Sequence, residues 1–109
     1  MDAEEGRLEA LRALAARKPT PLHLYGLGME LRNCGRAEEA IDVFADLHQR
    51  FRNYVPAYFM RAQALEELER YQEARDALAA GLLVAEQEGD EHAVLEMRSM
   101  LDTLPGDDP

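Results

Sequence analysis

Two stretches of this chain repeat one another at a spacing of 34 residues, and a fixed period restricts a fold more than composition can. Gly35-Arg36-Ala37-Glu38-Glu39-Ala40-Ile41-Asp42-Val43-Phe44 returns as Glu69-Arg70-Tyr71-Gln72-Glu73-Ala74-Arg75-Asp76-Ala77-Leu78, keeping Arg, Glu, Ala and Asp in register. Leu31 returns as Leu65 and Gly28 as the small Ala62. Each copy opens on a helix-starting proline, Pro21 and Pro56. A unit repeated this way buries its apolar face only by stacking on its neighbours, so the period predicts a solenoid.

The punctuation between the repeats is helical. Leu8, Leu11, Leu14 and Ala15 share one helical face before Pro19 stops the run. Thr20 offers an N-cap with Pro21 behind it. The next helix carries Leu24, Leu27, Gly28 and Leu31 inward, and Gly35 supplies a left-handed stop. A third helix starts near Ala37 with the stripe Ala40, Ile41, Phe44, Leu47 and Phe51. A fourth runs from Pro56 to about Glu69 with Tyr58, Ala62 and Leu65 inward, and a fifth from Tyr71 to about Gln87 through Ala74, Leu78 and Leu82. Gly89 ends it, and Asp90 caps a sixth helix whose stripe is Val94, Met97, Leu101 and Leu104. No strand-like alternation occurs, so the fold class is all-α, with one domain over 1–104 and a disordered acidic tail over 105–109.

The repeat resembles the tetratricopeptide-repeat family, whose unit has this length and a Trp…Leu-Gly…Tyr…Ala…Phe…Pro skeleton. Leu24, Leu27, Gly28, Leu31, Gly35, Ala40 and Phe44 match it in the first copy, and Tyr58, Ala62, Leu65, Tyr71, Ala74 and Leu78 in the second. Arg61 stands where leucine is usual, and Glu69 replaces the turn glycine. The resemblance, to small bacterial-type proteins of this family, implies a right-handed superhelix of antiparallel helix pairs: two full repeats between two flanking capping helices. It further implies a protein-binding scaffold whose first helices line a concave groove.

Charge narrows the partners. Residues 1–63 carry nine acids and nine bases, whereas residues 64–109 carry thirteen acids against Arg70, Arg75 and Arg98. The net charge of −10 repels phosphate backbones and anionic lipid, which argues against nucleic-acid and membrane partners. Cys34 is the single cysteine, no apolar run reaches membrane-spanning length, and Asp2, Glu4 and Glu5 precede any apolar run, so a cytoplasmic location is expected.

Catalytic chemistry has little to stand on. His23, His48 and His92 fall in different helices, and Gly26-Leu27-Gly28 lacks the third glycine and the preceding strand of a nucleotide loop. His92 and Glu96 lie one turn apart with no third ligand, and Cys34 reads as a half-buried inert thiol. The expectation is therefore no enzyme, no metal and no cofactor. The candidate peptide-binding face consists of Tyr25, Met29 and Arg32 in the first copy, Phe59, Met60, Gln63, Glu66 and Glu67 in the second, and Asn53 and Tyr54 in the loop between. Aromatic and methionine side chains there suit a peptide or helix with an apolar anchor and flanking Lys or Arg. The same residues also suit ordinary core, and Tyr25, Met29 and Met60 are uncharged where one subclass of the family grips a C-terminal carboxylate. Homodimerisation through the solenoid ends is the competing expectation, the chain then being a structural self-association domain.

Overall fold

The computed structural model describes residues 2–106 and consists of six helices, with no strand among the described residues. They are α1 (Ala3–Arg17), α2 (Pro21–Asn33), α3 (Ala37–Arg50), α4 (Pro56–Glu67), α5 (Tyr71–Glu88) and α6 (Glu91–Thr103). Each packs on the next, and α2 also touches α4, which is the layout of stacked helix pairs.

Caps explain where several helices begin. The Asp2 carboxylate accepts from the Glu5 N–H at 2.8 Å, the Thr20 hydroxyl from His23 N–H at 3.1 Å and the Asp90 carboxylate from Ala93 N–H at 3.1 Å. Proline at its start stands in for a side-chain cap on α4.

Small residues set how closely the pairs cross. A Cβ on Gly28 would lie 2.4 Å from Phe44 Cε1, and one on Gly81 would lie 2.6 Å from Tyr58 Cβ and 2.8 Å from Met97 Sδ. Gly28 therefore serves helix packing, with the fully buried Phe44 ring filling the space its missing side chain leaves. Around these contacts the core divides in two. One cluster holds Leu8, Leu24, Leu27, Leu31, Phe44 and Leu47, and the other holds Tyr58, Leu65, Leu78, Val84 and Met97.

Two sequence expectations need correction. The buried residues of α6 are Ala93, Met97 and Met100, with Leu104 just beyond, while Val94 and Leu101 are only half-buried. These match Tyr58, Ala62 and Leu65 at a spacing of 35, not 34, because α5 is 18 residues long against 14 for α3 and the following loop shortens. The one-residue change of phase hides α6 from a strict 34-residue comparison. Leu82 is likewise half-buried, with Gly81, Val84 and Ala85 taking the inner face of α5. Of the tail, Pro105 and Gly106 are exposed, and the Pro105 carbonyl accepts from Arg75; Asp107, Asp108 and Pro109 lie outside the described residues.

The second correction concerns the end of α4. The helix stops at Glu67, and Glu69 takes a left-handed backbone with φ 57°, the counterpart of Gly35 at φ 76°. The turn needs that conformation whatever residue occupies it, and a β-carbon there costs about 1 kcal/mol. Glu69→Gly is expected to raise stability by about that amount, read as a higher urea midpoint at unchanged slope. An unmoved midpoint would mean that the strain is relieved elsewhere.

Candidate functional site

Most residues of the candidate face come from α2 and α4, the first helices of the two copies, and one side chain ties them. Arg32 reaches from α2 to α4, donating from Nε to Glu67 Oε1 at 2.7 Å and from Nη1 to Gln63 Oε1 at 2.7 Å, with Met60 Sδ 3.5 Å away. Its planar fork spans these groups as a lysine ammonium does not. Met29 and Met60 are half-buried against the first cluster, so the face is a partly covered apolar strip under a polar clasp.

Tyr25 continues the strip toward the loop. Its ring meets Tyr54 edge-on at 5.5 Å and tilts against Phe44 at 6.1 Å. Burial pushes its phenol above the ordinary range, the neighbouring Tyr54 and the negative Glu96 of α6 add to the shift, and Arg32 opposes it. Asn53 and Tyr54 line an open cleft of about 410 Å³ with Pro21, Phe51 and Arg52.

Phe59 stands apart from this assembly. It packs against the second cluster, on the opposite side from its neighbour Met60, and both are half-buried. Glu66 is half-buried, and Glu67 is exposed beside Arg32. Arg32, Met60, Gln63 and Glu67 thus form one linked group, Tyr25 and Tyr54 a second beside it, and Phe59 belongs to the packing of α4.

A polar crevice on the α3–α5 side escapes a residue-by-residue search. His48 lies flat on Tyr58, with ring centroids 3.8 Å apart and planes 8° apart, and the Tyr58 hydroxyl donates to the Arg52 carbonyl at 2.9 Å. His48 Nε2 and Arg61 Nε are buried without a hydrogen-bond partner among the described residues, in a cavity of about 170 Å³ also lined by Glu73 and Asp76. Burial holds the His48 imidazole down at about 4, and the Arg61 charge works in the same direction. One period earlier stand Leu14 and Leu27, so the repeat itself marks this crevice as a polar substitution in an apolar place.

The remaining chemistry-bearing groups stay separate. Cys34 Sγ lies 3.5 Å from Glu30 Oε2, and burial followed by that contact raises its thiol, which disfavours the nucleophilic thiolate. His92 Nε2 is 3.5 Å from Glu96 Oε1 on an exposed face, and no group of three His, Cys, Asp or Glu that would hold a metal occurs among the described residues.

A family model described as tetratricopeptide repeat matches residues 35–97, a span that reaches into α6, the helix the 34-residue period misses. A solution NMR structure of a tetratricopeptide repeat domain protein from Salinibacter ruber is 28% identical, with a TM-score of 0.72 over 75% of this chain and 83% of that one. A crystal structure of a tetratricopeptide repeat domain protein from the same organism is also 28% identical, with a TM-score of 0.70 over 75% of this chain and 91% of that one. No curated protein matches.

Proposed function

Because the chain belongs to the tetratricopeptide-repeat family, which in general mediates protein–protein interaction, we propose that it binds a peptide or helix of a partner protein along the α2–α4 face, by contact and without catalysis. The observation that carries this reading is the Arg32 clasp. It fixes two first helices side by side and leaves Met29, Met60 and Tyr25 half-exposed between polar edges. An apolar anchor of the ligand covers the methionines, whose flexible thioethers adapt to its shape. Lysine or arginine beside that anchor meets Glu66 and Glu67, which adds specificity and association rate more than affinity. No helix among the described residues is long and apolar enough to cross a membrane. A cytoplasmic setting, where a lone thiol such as Cys34 stays reduced, agrees with this role.

The test starts from a partner segment mapped by cross-linking in the source lysate and then synthesised. Met60→Gln with Glu67→Lys is expected to weaken its binding by about tenfold or more, since one apolar anchor contact is worth 1–2 kcal/mol. Glu67→Lys also removes one arm of the clasp, so the melting temperature should fall somewhat, but the Arg32–Gln63 bond remains and the helical circular-dichroism signal at 25 °C should match wild type. Phe59→Asp is expected to unfold the second cluster instead. Full affinity in the double variant would count against the α2–α4 face. If sedimentation shows that face pairing between copies, self-association takes the place of this reading.

A further inference from the structure

We propose that the notch between the end of α5 and the start of α6 is a second docking point, taking an apolar side chain from a partner segment flanked by lysine or arginine. It rests on the reading of the chain as a protein-binding module but uses a different surface from the α2–α4 face. The notch has a volume of about 460 Å³, and its walls include Ala85, Val94 and Leu95. Leu95 is 68% exposed, although α6 buries Ala93, Met97 and Met100 against the rest of the fold. Gly89 turns the chain with φ 71°, and nothing lies within 4 Å of where its Cβ would project, so that side of the notch is open.

Charge complementarity identifies the occupant. Glu86, Asp90 and Glu91 rim the notch, and none of its lining residues is basic. Two of these acids have local duties, since Asp90 caps α6 and Glu91 suits the positive end of its dipole. Neither Glu86 nor Leu95 has such a duty. Glu86 meets Arg98 at 3.5 Å with both side chains more than half exposed, a pairing too weak to hold off a competing cation. A second copy of this chain is a poor occupant, because its net charge is −10 and the nine bases of residues 1–63 are offset by nine acids there. A segment with a leucine or phenylalanine between basic residues covers Leu95 and answers the rim together.

Three synthetic peptides test the notch by amide chemical shifts of the full chain: a Leu-Phe core flanked by Lys and Arg, the same core flanked by Asp and Glu, and a Ser-Ser core flanked by Lys and Arg. The first is expected to shift amides of residues 85–95 and the other two to leave them in place. Leu95→Ser is expected to weaken that binding by about tenfold, the loss of one buried leucine, without moving the melting temperature. Glu86→Gln with Glu91→Gln is expected to weaken it several-fold at low salt and little at high salt. Equal binding of the Ser-Ser peptide, or indifference to Leu95→Ser, would reduce the notch to a diffuse acidic surface and overturn the proposal. Shifts at residues 85–95 that follow protein concentration alone would assign the notch to a second copy, against the proposal. Shifts confined to α2 and α4 would overturn the notch and leave the α2–α4 reading standing. A peptide response at the notch that Met60→Gln leaves unchanged separates the two surfaces in the other direction.

Discussion

Truncating Phe44 to alanine is expected to cost about 4 kcal/mol, the usual range for removing a large ring from a closed core. The ring is fully buried, faces Gly28 across the α2–α3 crossing and touches Tyr25. Against a total stability of about 5–15 kcal/mol for a domain of this size, the variant should be largely unfolded at warm temperatures. Urea unfolding of the purified protein measures this directly. Gly28→Ala isolates the other half of the contact. Alanine is the better helix former by about 1 kcal/mol, yet its Cβ would meet the ring at 2.4 Å, so a net loss of about 1–2 kcal/mol is expected. Placed on a Phe44→Leu background, the same Gly28→Ala should cost much less, since the two nearest clashing atoms, Cε1 and Cζ, are gone and the shorter side chain can turn away. Additive losses in that double variant would show that the α2–α3 crossing is not set by this contact.

The logic of that contact also shows why the fold was legible in the sequence. A small residue at Gly28 and again at Ala62, with Phe44 and Leu78 one helix later, is the crossing written twice, and the period reveals it because both copies solve one packing problem. Legibility fails where the physics departs from repetition. α5 runs one turn longer than α3, so α6 re-enters one residue late, and its buried set moves to Ala93, Met97 and Met100. Glu69 hides a turn that glycine would have announced, because the surrounding packing imposes φ 57° on it.

The candidate face was less legible than the fold. Phe59 and Met60 are adjacent and equally apolar, and only the packing of α4 between the two clusters sends one to each side. Arg32 was visible as a groove residue, but its bonds to Gln63 and Glu67 depend on how closely α2 and α4 lie together, which no spacing within one helix encodes. In the sequence His48 is one of three scattered histidines and Arg61 one departure from a motif, and nothing joins them. Facing each other across a crevice, they become the least satisfied polar pair among the described residues.

That pair gives the fold an acid sensitivity in a pH range where carboxylates are still ionised. In the folded chain burial holds His48 at about 4, whereas in the unfolded chain it takes up its proton near 6.5. Between those values the unfolded state binds more protons, so stability is complete above about 6.5 and falls as pH drops toward 4. The unscreened shift would correspond to about 3 kcal/mol, and partial exposure of the ring reduces the expected loss to about 1–2 kcal/mol. Arg61 opposes its protonation, while a hydrogen bond with the Ala57 backbone works the other way, and Glu73 and Asp76 line the same crevice. Glu39 and Glu73 are themselves held below the ordinary carboxylate range, chiefly by hydrogen bonds from Arg36 and Arg70. Their contribution is present above that range and is lost only as the pH falls through their lowered values, below the window in which His48 acts. Urea midpoints measured at pH 7 and pH 5 should therefore differ in the wild type. His48→Phe keeps an aromatic ring stacked on Tyr58 but takes no proton, so its midpoint should be nearly constant over the same interval. The variant should also be the more stable protein at pH 5, because it removes a buried nitrogen that has no partner. An equal acid loss in wild type and His48→Phe would place the sensitivity in some other group and leave the crevice without a titrating role.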